Sequence, residues 1–238
     1  MREYQGPEGD PRIWYEPEEI EEIFQAELRR SRLAPPVESP TVDVERFIES
    51  HLKVSVDQYA ELPQEVLGLT RFDQGRPPKI SINATLTEAV EADPSNLGLS
   101  GRWRATLAHE AAHVVLHRHL FDPQMAGLSK PLMPSTASNS ALFRCAASDI
   151  SPVSESDLQR RKGQTDWREV QANRGMAALL MPASLFRRVV LRTQAEVSIS
   201  GSTTTFDKEA LVAQIAAKCG VSRQAASIRI DTLGLVLA

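Results

Sequence analysis

Apolar residues first take up helical spacing after Pro17. Ile20, Ile23, Phe24 and Leu28 recur among glutamates, which predicts a helix opened by the proline. Residues 1–16 are rich in Gly, Pro and charge and are expected to be poorly ordered. A linker with three prolines runs from Leu33 to Pro40, and Val44, Phe47, Ile48 and Leu52 then share one face of a second, short helix. The period next falls to two: Val54 and Val56 alternate with polar residues. Leu67–Phe72 and Lys79–Asn83 read as two strands joined by the turn Asp73-Gln74-Gly75, an antiparallel hairpin.

Residues 84–100 are mixed, with Pro94 and Gly98 as breakers. From Trp103 to Leu120 a strong helical pattern returns, with Leu107, Ala108, Ala111, Ala112, Val115 and Leu116 forming a broad apolar surface. Residues 122–165 are Ser- and Pro-rich without a sustained period. That is long for a structureless loop in a compact domain and suggests a lid, a substrate-binding segment or partial disorder. Helical spacing resumes from Trp167 to about Met181, where Pro182 ends it. A polar connector is expected over 194–206. Two short helices around Cys219-Gly220-Val221-Ser222 follow over 207–233, a helix-turn-helix-like pair with Ser222 as N-cap.

Composition narrows the classes. The formal net charge of −4 is not that of a protein whose main partner is nucleic acid. The C-terminal pair carries only Arg223 and Arg229 as cations on its second helix, so structural closure or protein docking is favoured over DNA contact. Two cysteines far apart, Cys145 and Cys219, form neither a disulfide framework nor a Cys-rich zinc site. No apolar run approaches the roughly 18–20 residues of a membrane span. The first residues do not read as a signal peptide, and a cytoplasmic protein is expected.

The informative stretch is His109-Glu110-Ala111-Ala112-His113. Each helical residue turns about 100°, so residues four apart turn about 400° and lie one turn apart on one face. His109 and His113 can therefore converge on one ion. Neutral imidazole suits Zn²⁺, and a catalytic zinc usually keeps three protein ligands plus a water. Glu110, projecting beside the metal, is placed to act as general base. Four of the five histidines fall within 109–119, which a chance arrangement on an amphipathic helix does not require.

The third ligand is open between two candidates. His119 has the spacing of HExxHxxGxxH, but Leu116 stands where that pattern needs a Gly to turn the chain. Glu169, on a second helix, completes a His₂Glu set. It reads equally well as the N3 member of a capping box begun by Asp166. His117 is a further candidate, either as an oxyanion donor or as a partner behind a ligand. Asn173 is a candidate for orienting Glu169 or for packing. Cys145 is a weaker candidate for a thiolate ligand.

The HExxH stretch with its extension Val114-Val115-Leu116-His117-Arg118, and Glu169-Val170-Gln171-Ala172-Asn173 ending in Leu179-Leu180-Met181-Pro182, resemble the ImmA/IrrE metallo-endopeptidases. The resemblance spans about residues 42–186 and includes the hairpin. It implies a zincin-like α+β fold with a small antiparallel sheet, metal ligands His109, His113 and Glu169, and Glu110 as catalytic base. The implied cofactor is Zn²⁺, with Mn²⁺ able to replace it in vitro. The implied substrate is a helix-turn-helix transcriptional repressor whose cleavage relieves repression. Three departures stand out: Ala112 where the family often has Gly, Gly175 where it often has an aromatic, for which Met176 is the expected filler, and the long 122–165 segment.

The expected organisation is an N-terminal extension and helix over 1–40, a metallopeptidase domain over 41–193, and a C-terminal helical module over 194–238. The competing expectation is a DNA- or repressor-binding regulator whose metal is structural or sensory.

Overall fold

The computed structural model describes residues 2–5, 11–73, 75–121, 140–146, 166–199 and 208–237. The fold is mixed α+β, built on a four-stranded sheet. β3 (Ser55–Ala60), β5 (Lys79–Asn83), β4 (Val66–Asp73) and β6 (Ser140–Ala146) lie in that order. β3 runs parallel to β5 and the other pairs are antiparallel, so the sheet is mixed, which corrects the expected antiparallel one. The β4–β5 hairpin is the one the alternation predicts, with Gly68 opposite Ile82 and a turn in which Gly75 takes φ +72.

Three further sequence expectations are corrected. A two-stranded antiparallel pair, β1 (Arg2–Gln5) and β2 (Pro11–Trp14), occupies much of the stretch expected to be poorly ordered. β6 lies inside 122–165, where no period was legible: Leu142 is exposed, Phe143 buried, Arg144 exposed and Cys145 buried. The rest of that segment, 122–139 and 147–165, lies outside the described residues. The expected connector over 194–206 is helix as far as Ile199, because α6 (Ala183–Ile199) runs on past its apolar Val189 and Val190.

The remaining helices are α1 (Pro17–Ser31), α2 (Val44–Arg46, running into a π-helical turn over Phe47–Leu52), α3 (Ala84–Ala92), α4 (Leu97–Phe121), α5 (Trp167–Leu180), α7 (Lys208–Cys219) and α8 (Arg223–Thr232). α4 starts six residues before the strong apolar pattern, because the Asn96 side chain accepts from the N–H groups of Gly98 and Leu99. From Thr106 to Val114 every residue of α4 is buried, as expected for a helix enclosed on all sides. None of the described helices is long and apolar enough to cross a membrane.

α7 and α8 join this same core through Leu211, Ile215, Ala226 and Ile230. Ser222 caps α8 as its sequence predicts, accepting from Ala225 N at 3.1 Å. Arg104 on α4 donates to Gly220 O and Val42 O, tying the turn between α7 and α8 down. Arg229 is 4% exposed; it donates to Met181 O at 2.7 Å and pairs with Glu21 at 2.6 Å. It therefore fastens α8 to the body of the molecule and is not a surface cation.

Candidate metal centre

α4 presents His109 and His113 on one face, as their spacing dictates, and both side chains are fully buried. α5 brings Glu169 against them. Asp166 caps α5 by accepting from Arg168 N at 3.0 Å, and the Glu169 carboxylate is directed to the imidazoles. Glu169 Oε2 lies 3.0 Å from His109 Nε2, and Oε1 lies 3.4 Å from His113 Nε2. The two imidazole Nε2 atoms are 3.1 Å apart.

These separations bear on what fills the centre. Ligands about 2.0–2.1 Å from a tetrahedral ion lie about 3.3–3.4 Å from one another, the edge being about 1.6 times the bond. The two Nε2 atoms are 3.1 Å apart, and each has a different oxygen of the Glu169 carboxylate at 3.0 or 3.4 Å, close to that spacing. The donor set, two neutral nitrogens and one anion, suits a borderline divalent ion. Among the described residues no fourth His, Cys, Asp or Glu joins the three. The Glu169 side chain is 18% exposed while both imidazoles are at 0%, so the carboxylate side of the centre faces solvent.

Electrostatics agree with that chemistry. Burial, reinforced by the neighbouring His109, holds the His113 imidazole below its ordinary value, with Glu169 opposing only in part. His113 is therefore neutral near pH 7, the state a metal ligand needs. Burial alone would raise the Glu169 carboxyl, but the His109 and His113 imidazoles beside it outweigh burial, and the net shift is strongly downward. Glu169 is ionised.

Glu110 is fully buried and turns toward the sheet. Thr70 on β4 donates its hydroxyl to the Glu110 carboxylate. Gly68, one register step away on the same face of β4, makes room for it. A Cβ there would stand 2.7 Å from Glu110 Oε1 and 2.7 Å from Thr106 Cγ2. A glycine inside a strand often marks such a close approach, the one signal in the sequence that pointed to this contact.

Phe143 on β6 closes another side. Its ring stacks on His113 at 4.7 Å and 21° between planes, and it lies 5.9 Å from the His117 ring. Arg168 sits over Phe143 at 4.9 Å. Phe143, Thr70 and Gly68 are the neighbours sequence reasoning missed.

The other sequence candidates are placed as follows. His117 is fully buried behind His113, with both ring nitrogens engaged, by His113 and by Gln171. Asn173 is not among the three converging groups; its Oδ1 is buried with no hydrogen-bond partner among the described residues. His119 lies apart from the centre, edge-on to Tyr15 at 6.4 Å. Cys145 is buried on β6, outside the three. No model of a known protein family matches this sequence, and neither does any curated protein.

Proposed function

We propose that the chain is a zinc-dependent metallo-endopeptidase of the ImmA/IrrE kind, with a zincin-like arrangement in which α4 lies against the sheet. The observation that carries this reading is the close approach of His109, His113 and Glu169, with nitrogen–nitrogen and nitrogen–oxygen separations of 3.0–3.4 Å, on a helix that also carries the buried Glu110. A divalent ion held by the three supplies Lewis-acid polarisation of a carbonyl and lowers the pKa of a water.

The chain's own residues do the rest. Glu110 takes the proton from the attacking water and returns it to the leaving amine. Thr70 and Gly68 fix the Glu110 carboxylate, so little rearrangement precedes proton transfer. Phe143 and the buried walls of α4 keep bulk water from the imidazoles. Glu169, the solvent-facing member, marks the side from which a peptide enters.

The proposed substrate is a protein, a helix-turn-helix repressor being the class the motif resemblance suggests, and the proposed compartment is the cytoplasm. The competing regulator reading, with DNA held by the C-terminal helices, is weakened by Arg229. That side chain is committed to Met181 and Glu21, which leaves Arg223 as the remaining cation of the pair named for phosphate contact.

The test compares wild type with Glu110→Gln on candidate repressors, with Zn²⁺ or Mn²⁺ and with a chelator. Wild type should cleave only with metal. The variant should bind metal normally and cleave about 10²–10⁴-fold more slowly, the range of a lost general base. Equal cleavage by both proteins, or cleavage that survives chelation, would discard the proposal.

A further inference from the structure

A second row of ring nitrogens lies behind the three converging atoms. His113 Nδ1 is 3.1 Å from His117 Nδ1, and His117 Nε2 is 3.1 Å from Gln171 Oε1. We propose that Gln171 and His117 are positioning residues that set the tautomer of His113, so that its Nε2 presents a lone pair to the cation. The inference rests on the reading of His109, His113 and Glu169 as metal ligands.

The assignment follows from proton counting. The Gln171 amide oxygen only accepts, so His117 Nε2 must carry the hydrogen that joins them. A neutral imidazole carries one N–H, so His117 Nδ1 is a lone pair. The contact between the two Nδ1 atoms then needs its hydrogen on His113. That is the one hydrogen of His113, and its Nε2 is left bare, facing His109 Nε2 and Glu169.

Neutrality of both rings is imposed by their surroundings. Both are fully buried; Phe143 stacks on each, and Trp167 meets the His117 ring edge-on at 5.7 Å. If the Gln171 amide were reversed, its NH₂ would donate to His117, every hydrogen would shift by one place, and His113 would point an N–H at the ion. One amide on α5 thus decides whether a ligand on α4 can bind. Partners behind a ligating histidine commonly act in this way.

Long-range ¹H–¹⁵N correlation spectra of the metal-free protein, labelled in its histidine rings, read the tautomers directly. His113 should carry its hydrogen on Nδ1 and His117 on Nε2. His113 carrying it on Nε2 would overturn the proposal, whatever the variants do.

Zn²⁺ affinity, measured by competition with a chromophoric chelator, gives the second readout. His117→Leu should weaken binding about 10–100-fold. His117→Asn should restore most of it, because the Asn Oδ1 can accept where Nδ1 did. Equal losses in the Leu and Asn variants would mean that packing alone is at work and would overturn the relay. Wild type that binds no zinc despite the expected tautomers would sink the metal reading. Tight zinc binding by wild type with the opposite tautomers would sink only the relay.

Discussion

α4 and α5 meet along two seams built on opposite plans. At one, Ala112 faces Gly175, and Phe24 from α1 fills the remaining space; a Cβ on Gly175 would stand 2.8 Å from Ala112 Cβ and 2.7 Å from the Phe24 ring. Here nothing polar is involved, and fit is everything. At the other, His109, His113 and His117 meet Glu169 and Gln171, all but Glu169 with no exposed surface. Burying so many polar groups is unfavourable unless each finds a partner. The difference teaches what each seam is for. The apolar one holds the helices together, and the polar one gives up part of that stability to gather three groups that could hold a metal ion.

The comparison can be broken from either side. The largest expected effect is at the apolar seam. Phe24→Ala should lower unfolding stability by about 3–5 kcal/mol, measured by urea denaturation, with the tautomers of His113 and His117 kept in the protein that remains folded. Unchanged stability would mean that Phe24 does not support the crossing.

The polar seam should answer to metal in its place. Zinc at 100 times its dissociation constant should stabilise wild type by about 2.7 kcal/mol over chelator-treated protein, read from the thermal midpoint. His109→Ala should show no such increment. An equal increment in both proteins would place the binding elsewhere.

A smaller effect is expected at Gly175. Gly175→Ala should destabilise by about 1–3 kcal/mol through overpacking against Phe24 and Ala112, although alanine is the better helix former. A gain in stability would show that the seam has room.

The smallest concerns pH, in the metal-free protein. His113 and His117 are held below their ordinary value of 6.5, chiefly by burial, so below that pH the unfolded chain binds protons the folded one does not. Their contribution is complete above about pH 6.5 and is lost as pH falls toward the folded values. Glu169, held below its ordinary 4.5 by the imidazoles despite its burial, adds a further loss below that point. Stability should therefore drop in two stages on acidification. A flat profile from pH 7.5 to 5.5 would contradict the neutral rings.

The sequence made one side of this comparison more legible than the other. His109 and His113 declare themselves because helical geometry ties their spacing to a common face, and the α4 and α5 patterns lie where they form. Glu169 was balanced between cap and ligand; Asp166 turned out to cap α5 through Arg168 N, while the Glu169 carboxylate meets the imidazoles. The filling of the Gly175 gap was not legible, because Phe24 comes from a helix about 150 residues earlier, and helical period says nothing of which helix will arrive. Met176, the expected filler, is only partly buried. Phe143 was hidden for another reason: β6 is an edge strand set within a long Ser- and Pro-rich stretch that shows no sustained period.

Calorimetric titration of the metal-free protein with Zn²⁺, run beside Glu169→Ala, tests the centre most directly. One ion per chain should bind wild type tightly, and the loss of the third ligand should weaken that binding severely while the fold persists. Wild type that takes up no zinc, or a Glu169→Ala variant that binds it just as well, would contradict the account.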